Sequence, residues 1–167
     1  MVALVGCSDD PEPRTLPPVP SASPSPSVVP MPSEAAAETP EGAAAFARYF
    51  FAVVNAGLES GDAGHLRKIS SPDCGGCRSL ASAIEEEPSA GERIVGGLFD
   101  VLSAESPPVD AGDVIVEVSY AVSEIKVYGS DGAILRSTAA VPRTNGQVRL
   151  LRNGQGWIVQ GFRSIDS

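Results

Sequence analysis

Proline is concentrated near the front of this 167-residue chain, and this distribution decides where a folded core can form. Most of the 15 prolines fall within residues 8–38, among serines and without an aromatic residue or an apolar periodicity. Proline cannot join a backbone hydrogen-bond ladder, and a segment this poor in apolar side chains cannot offset its ordering entropy by burial. The sequence therefore predicts a disordered Pro/Ser-rich tether at 8–38 and one α+β globular domain at 39–167. A weaker alternative is a proline-rich ligand for a partner at Pro17–Pro20.

The charge balance argues against two kinds of partner. The net charge is −9, from 21 acidic and 12 basic residues. Nucleic acids and anionic lipid surfaces both attract basic proteins, so neither suits this chain. No run of about 18 apolar residues is present, so no transmembrane helix is expected. Membrane contact would then require an attached lipid.

The first part of the domain carries helix signals. Thr39-Pro40-Glu41 combines an N-cap, a proline for the first helical position and an acid for the positive helix end. Apolar residues then recur at three- and four-residue spacing up to a stop at Ser60-Gly61. We expect a short second helix at 63–69. A third should start at Ser71-Pro72-Asp73 and stop at Pro88.

From Arg93 onward the pattern is typical of strands. Apolar and polar residues alternate most clearly at 114–122, and a change of parity after them indicates a bulge or bend near Ser123-Glu124. Asn145-Gly146 is a hairpin signal, and Pro142 should end the strand before it. Helices followed by a strand meander indicate an α+β fold, with N-terminal helices packed on a curved antiparallel sheet. The expected strands are 94–102, 114–122, 125–127, 134–141, 148–151 and 157–162.

Cys74-Gly75-Gly76-Cys77 is the sharpest chemical motif. We favour a structural disulfide between Cys74 and Cys77, because the glycines allow a tight ring to close. A redox pair at a helix N-terminus is a second interpretation, but a helix rather than a strand precedes the motif. Zinc needs four ligands, and haem attachment needs a histidine where Arg78 stands.

Leu4-Val5-Gly6-Cys7 resembles a bacterial lipobox, in which a small residue precedes a cysteine that becomes acylated. Only six residues precede Cys7, and none is basic, so residues 1–7 are interpreted as the remnant of a lipoprotein signal. All three cysteines are accounted for if Cys7 carries lipid and Cys74 pairs with Cys77. We therefore expect a lipid-anchored protein on the outer face of the cell membrane.

No side chain stands out as a catalytic group. His65 is the only histidine, and with Asp62 it would form an acid–base pair, although an exposed histidine in a short polar helix is the plainer interpretation. The run Glu85–Glu87 would suit a cation only if its carboxylates converged, and consecutive helical residues point apart. No phosphate loop, Ser/His/Asp signature or metal-ligand set is found, so we expect no metal and no cofactor.

Aromatic residues supply the candidate pocket. They either line a ligand cavity or, as is more common, form core. The residues in question are Tyr49, Phe50, Tyr120, Trp157 and Phe162.

Three segments resemble an actinobacterial lipoprotein domain family of unknown function. They are Thr39–Phe50, Ser71–Cys77 and the late strand that begins at Trp157. The helices-then-sheet order also resembles the nuclear-transport-factor-2-like (cystatin-like) cone, in which the first helix fills the concave side of a bent sheet. This resemblance implies a location and a fold, but no activity. Many cone proteins have a strand pair between the second and third helices, and none is found here.

These observations predict an extracytoplasmic binding or interaction domain. Its expected ligand is a protein or a small apolar molecule. The alternative is a small-molecule isomerase or hydrolase that uses His65 and a carboxylate inside the cone. A deep pocket holding His65 would favour the enzyme, whereas a filled cone with an exposed apolar patch would favour the binding domain.

Overall fold

The computed structural model describes residues 28–86, 88–109 and 113–165. Helices come first and strands follow, which confirms the α+β fold class. A short 3-10 helix, Ser33–Ala36, precedes the α-helices α1 (Pro40–Ser60), α2 (Gly64–Ile69) and α3 (Gly75–Ile84). The strands are β1 (Arg93–Gly96), β2 (Phe99–Glu105), β3 (Asp113–Val122), β4 (Ile125–Tyr128), β5 (Ile134–Thr138), β6 (Val141–Arg152) and β7 (Trp157–Ile165). None of the described helices combines the length and hydropathy needed to cross a membrane.

Helix α1 begins and ends where the sequence predicts. The Thr39 hydroxyl accepts a hydrogen bond from the Gly42 N–H at 3.1 Å, and Pro40 occupies the first helical position. At the other end Gly61 adopts a left-handed φ of 73°, and its N–H donates to the Gly57 carbonyl at 2.7 Å. Between these caps, α1 packs on β2 and β3.

Helix α3 begins later than predicted. Its N-cap is Cys74, and Ser71-Pro72-Asp73 forms a turn in which the Ser71 hydroxyl accepts from the Asp73 N–H at 3.2 Å. The Cys74 N–H donates to the Ser71 carbonyl at 3.0 Å and closes this turn. A serine that caps a turn resembles one that caps a helix, so local sequence alone did not separate the two.

The strands form two antiparallel sheets. The inner sheet has the order β2-β3-β6-β7, and the outer sheet has the order β1-β4-β5. The chain passes between them at Gly96-Gly97, which have φ values of 95° and 75°, and again at Ser123-Glu124. The predicted bend at Ser123-Glu124 is therefore the point where the chain leaves β3 for the other sheet.

The hairpin prediction at Asn145-Gly146 is wrong. Both residues lie inside β6, where Asn145 pairs with Ser119 on β3 and with Ile165 on β7. Pro142 likewise lies within β6 and does not end a strand. The glycine has a packing reason, because a Cβ atom at Gly146 would lie 3.0 Å from the Tyr120 ring. At this position the glycine allows a close approach to the Tyr120 ring and does not form a turn.

Both edges of the inner sheet receive hydrogen bonds from other parts of the chain. At β2 the Asn55 amide donates to the Phe99 carbonyl and accepts from the Phe99 N–H, each at 2.8 Å. At β7 Ser70 forms a parallel bridge with Val159, and the Ser71 N–H donates to the Val159 carbonyl at 2.8 Å. These contacts satisfy edge groups that would otherwise be open to another chain.

Residues 28–38 pack on the domain, although the sequence assigns them to the tether. The short helix Ser33–Ala36 contacts α1, and Ala35 is fully buried. The indole N–H of Trp157 donates to the Ala37 carbonyl at 2.9 Å, and Glu38 forms an ion pair with Arg152. The sequence did not predict this packing, because the segment is rich in proline and is held through backbone carbonyls and one small alanine. Residues 8–27 of the predicted tether and Cys7 lie outside the described residues.

Candidate functional site

Aromatic rings fill the space between α1 and the inner sheet. Phe51 lies 5.3 Å from the Tyr120 ring and 5.5 Å from the Phe162 ring, measured between centroids, and Phe50 lies 5.6 Å from Phe162. Phe50 and Phe51 are buried, and the Tyr120 hydroxyl donates to Ser164 Oγ at 3.1 Å. Three of the five candidate pocket residues, Phe50, Tyr120 and Phe162, thus pack around the Phe51 ring in the core.

The other two candidate aromatics, Tyr49 and Trp157, contact a different part of the chain. The Tyr49 hydroxyl donates to the Val29 carbonyl at 3.3 Å, and Trp157 holds Ala37 as described above. Both side chains are buried. They fasten residues 28–38 to the domain.

His65 meets Tyr49 at the junction of α1 and α2. The Tyr49 oxygen and His65 Nε2 are 2.9 Å apart. The Tyr49 hydroxyl has one hydrogen, and both the Val29 carbonyl and a deprotonated Nε2 lie within reach as its acceptor, so the tautomer of His65 decides which of the two contacts Tyr49 donates to. Nδ1 is buried and has no partner among the described residues. Burial lowers the pKa of His65, with Lys68 adding to this and Asp62 opposing it, while burial raises the pKa of Tyr49.

Asp62 and His65 line one small cavity of about 210 Å³, together with Val28 and Lys68. Asp62 Oδ1 accepts a hydrogen bond from the Gly64 N–H at 2.7 Å, so this carboxylate forms an Asx turn just before α2. The pair lies between the helices and residue 28, outside the aromatic interior. The structure thus brings the two residues together, but in a different place from the cone pocket that the sequence suggested.

Cys74 and Cys77 form a disulfide at the start of α3, with 5.2 Å between their Cα atoms. Both are buried, and the Cys77 N–H donates to Cys74 Sγ at 3.1 Å. A Cβ atom at Gly76 would lie 2.1 Å from the Phe162 carbonyl oxygen, so this glycine lets α3 approach β7. No group of three or more His, Cys, Asp or Glu side chains within the described ranges is placed to hold a metal ion.

The outer sheet exposes aliphatic side chains. Ile94 and Val95 on β1 are 47% and 42% exposed, and Ile134 and Leu135 on β5 are 55% and 52% exposed. Consecutive strand residues point to opposite faces, so both faces of the outer sheet present apolar surface. Sequence analysis missed this feature. The sequence does contain two aliphatic pairs, Ile94-Val95 and Ile134-Leu135, but their strands are too short to show which residues face solvent.

A groove runs beside β1, and we call it the β1 groove. Its volume is about 460 Å³. Its apolar lining includes Leu58, Ile84, Ile94, Val95 and Leu98, and its charged lining is Glu59, Glu86, Glu92 and Arg93.

The chain is similar in fold to several solved structures at low identity. The intermembrane space region of the chloroplast protein ARC6 is 10% identical, covers 74% of this chain and 97% of that chain, and has a TM-score of 0.48. A chain named Rd1NTF2_05 with substitutions is 12% identical, covers 72% and 96%, and has a TM-score of 0.39. A putative calcium/calmodulin dependent protein kinase II association domain from Xanthomonas campestris is 9% identical, covers 74% and 84%, and has a TM-score of 0.43.

No curated protein matches the chain in sequence. A family match covers residues 21–163, which includes the last part of the predicted tether and almost the whole domain. The chain belongs to DUF6318, a family of unknown function.

Proposed function

We propose that this protein is a lipid-anchored, extracytoplasmic interaction domain that binds a protein partner through its outer sheet. The observation that carries the proposal is the half-exposed aliphatic surface on β1 and β5. Fully burying one aliphatic side chain of this size contributes about 1.5–3 kcal/mol, so the outer sheet offers a substantial driving force for association. Exposed aliphatic side chains at neighbouring positions on both of these strands are more than the single scattered exposures that are normal on a protein surface, which favours an interaction site.

The packed interior supports the same proposal. A small apolar ligand would need room between α1 and the inner sheet, and aromatic rings occupy that space. Binding must then use the outside of the domain. The two sheets differ there, because Asn55 and Ser71 form hydrogen bonds to the edge strands of the inner sheet, whereas among the described residues no backbone group bonds to the outer edge of β1.

The anchor is the second part of the proposal. It is supported by the Leu4-Val5-Gly6-Cys7 motif, by the proline-rich segment after it, and by a disulfide, which is stable in an oxidising compartment. Residues 8–27 would hold the domain away from the bilayer. An actinobacterial lipoprotein origin and a nuclear-transport-factor-2-like cone belong to this proposal as well.

The anchor is tested by mass spectrometry of the native N-terminal peptide. We expect an acylated Cys7 and recovery of the protein with membranes after washing in high salt. A Cys7→Ala variant should leave the membrane fraction, while a Ser8→Ala variant, next to it, should not. A bare Cys7 in membrane-recovered native protein would overturn the anchor.

The binding surface is tested by photo-crosslinking in intact cells. A photoreactive residue at Ile134 or Leu135 should give a discrete adduct with one protein, and the same residue at Ser79 on α3 should not. Ser79 is exposed and lies outside the outer sheet, so it controls for random collision. Equal labelling from all three positions, or no protein adduct from the outer sheet, would contradict the proposal.

One observation favours the enzyme alternative, a small-molecule isomerase or hydrolase. His65 Nδ1 is buried without a hydrogen-bond partner among the described residues, and Asp62 lines the same cavity. The alternative is weaker because Asp62 is engaged with the Gly64 N–H and His65 with Tyr49, so both groups already have structural partners.

A further inference from the structure

The β1 groove lies where two helices end. Leu58, Glu59 and Gly61 bring the C-terminal turn of α1 to it, and Ile84 and Glu86 bring the end of α3. A helix C-terminus carries partial negative charge, which a basic residue in the last turn often offsets. Neither α1 nor α3 has a basic residue in its last turn. The two helix ends therefore add negative potential to the groove, which Arg93 in its lining and the ion pair of Arg67 with Glu85 at the end of α3 offset only in part.

Side-chain charges add to this potential. Glu59 and Glu86 are exposed and form no ion pair with any residue in the described part of the chain. Glu92 pairs with Arg136 at 3.3 Å, and the Arg93 guanidinium stacks over the Tyr128 ring at 4.7 Å. Two acids on the rim thus lack a cation.

The floor of the groove is apolar, and one wall is an open strand. Leu58, Ile84, Ile94 and Leu98 supply aliphatic surface. On its other side β1 pairs with β4, and no described residue forms a hydrogen bond to its outer edge. An extended segment laid along this edge would gain backbone hydrogen bonds as well as apolar contact.

We propose that the partner inserts an extended segment that combines aliphatic residues with lysine or arginine, and that this segment pairs with β1 in the β1 groove. The inference rests on the proposed interaction function and names the chemistry of the partner. The segment's cation would lie between the ends of α1 and α3, near Glu59 and Glu86. Its aliphatic residues would cover Ile94 and Leu98.

The chain's own composition disfavours two other occupants. The predicted tether before residue 28 contains one basic residue, Arg14, against three acids, Asp9, Asp10 and Glu12. A second copy of the chain would bring a net charge of −9 to an acidic rim. A basic segment from another protein is the occupant that complements the groove.

A titration of the isotope-labelled full chain with defined peptides tests the inference. The probe is a short peptide in which valine alternates with lysine, and matched peptides carry glutamine or glutamate in place of lysine. We expect the lysine peptide to shift the amide resonances of Arg93–Gly96 and Gly61. Added salt should weaken the binding of this peptide, and the glutamate peptide should bind little or not at all. Shifts elsewhere on the domain, or equal binding of the three peptides, would overturn it.

A matched pair of variants makes the test specific. Glu59→Gln/Glu86→Gln should weaken the lysine peptide by about fivefold, whereas Glu34→Gln/Glu105→Gln, which removes the same charge from exposed sites outside the groove, should not. Equal weakening by the two variants would contradict a site in the groove. If the peptide fails to bind while Ile134 and Leu135 still crosslink a protein, this inference alone is wrong. If the crosslinks are also absent, the proposed function fails with it.

Discussion

At the scale of single residues, the contact between His65 and Tyr49 is a polar pair with a structural role, because it joins α1 to α2. Local sequence indicates an exposed histidine on a polar helix, but the structure sets its Nε2 against the Tyr49 oxygen and buries its Nδ1. The partner lies on α1, and Tyr49 in turn holds the Val29 carbonyl. Sequence spacing cannot reveal such a pair, because it depends on how α1 and α2 cross.

This pair predicts a pH dependence of stability. The pKa of His65 in the folded state is below its ordinary value of 6.5, so the unfolded chain binds the proton more readily. Stability is therefore complete above about pH 6.5 and falls as the pH drops below it. Urea unfolding followed by Trp157 fluorescence at about pH 7.5 and 5.5 should show this loss, in a range where carboxylates do not yet titrate. His65→Gln should remove the dependence, and the same slope in both proteins would contradict the assignment.

At the scale of elements, the start of α3 depends on a covalent ring and a close approach. The disulfide joins the N-cap Cys74 to Cys77 in the first turn, and Gly76 lies against the β7 backbone. The motif itself was readable from the sequence. Its orientation against Phe162 was not, since that contact joins residues far apart in the chain.

Replacing both cysteines, in a Cys74→Ser/Cys77→Ser variant, should lower the free energy of unfolding by about 2 kcal/mol, because the ring restricts the unfolded chain. Thermal unfolding measures the change, and wild type treated with a reductant is the control and should lose a similar amount. The outer-sheet crosslink should persist at temperatures where the variant is folded. A redox phenotype of the variant, with stability unchanged, would favour the thiol–disulfide interpretation instead.

The segment 28–38 carries a prediction about the domain boundary. A chain that lacks residues 1–27 should unfold at the same temperature as the full chain. A chain that lacks residues 1–38 should lose at least about 2 kcal/mol, since it removes buried Ala35 and the acceptors of Trp157 and Tyr49. Comparing the two truncations by thermal unfolding checks this. If the two truncated chains are equally stable, the folded domain begins at residue 39, as the sequence predicts.

At the scale of the whole molecule, the two sheets differ in how far they are buried. The inner sheet packs on the helices, and its edges receive hydrogen bonds from other parts of the chain. The outer sheet is partly solvent-exposed on both faces, so it contributes less to the core and is available to a partner. Under the proposed function, a lipid anchor would present this surface to other extracytoplasmic proteins.

This division predicts that Ile134→Asp and Leu135→Asp lower the free energy of unfolding by no more than about 2 kcal/mol each, because both side chains are half-exposed and the cost is partial loss of burial plus the poor strand propensity of aspartate. The same variants should abolish the partner crosslink from a photoreactive residue at Val95. Val116→Asp, which places a charge at a fully buried inner-sheet position, should prevent folding. Unfolding caused by the outer-sheet variants would mean that this surface is structural.

By itself, the sequence determined the elements that rest on local rules: the two ends and the apolar face of α1, the alternation of β3 and the pairing of neighbouring cysteines. It also indicated the α+β order, since the periodicity changes once along the chain. Only the tertiary structure decided that Asn145-Gly146 lies inside a strand, that residues 28–38 pack against α1 and Trp157, and that the outer sheet is exposed. Each of these depends on contacts between residues distant in sequence, and a local pattern carries no information about which distant surface it will meet.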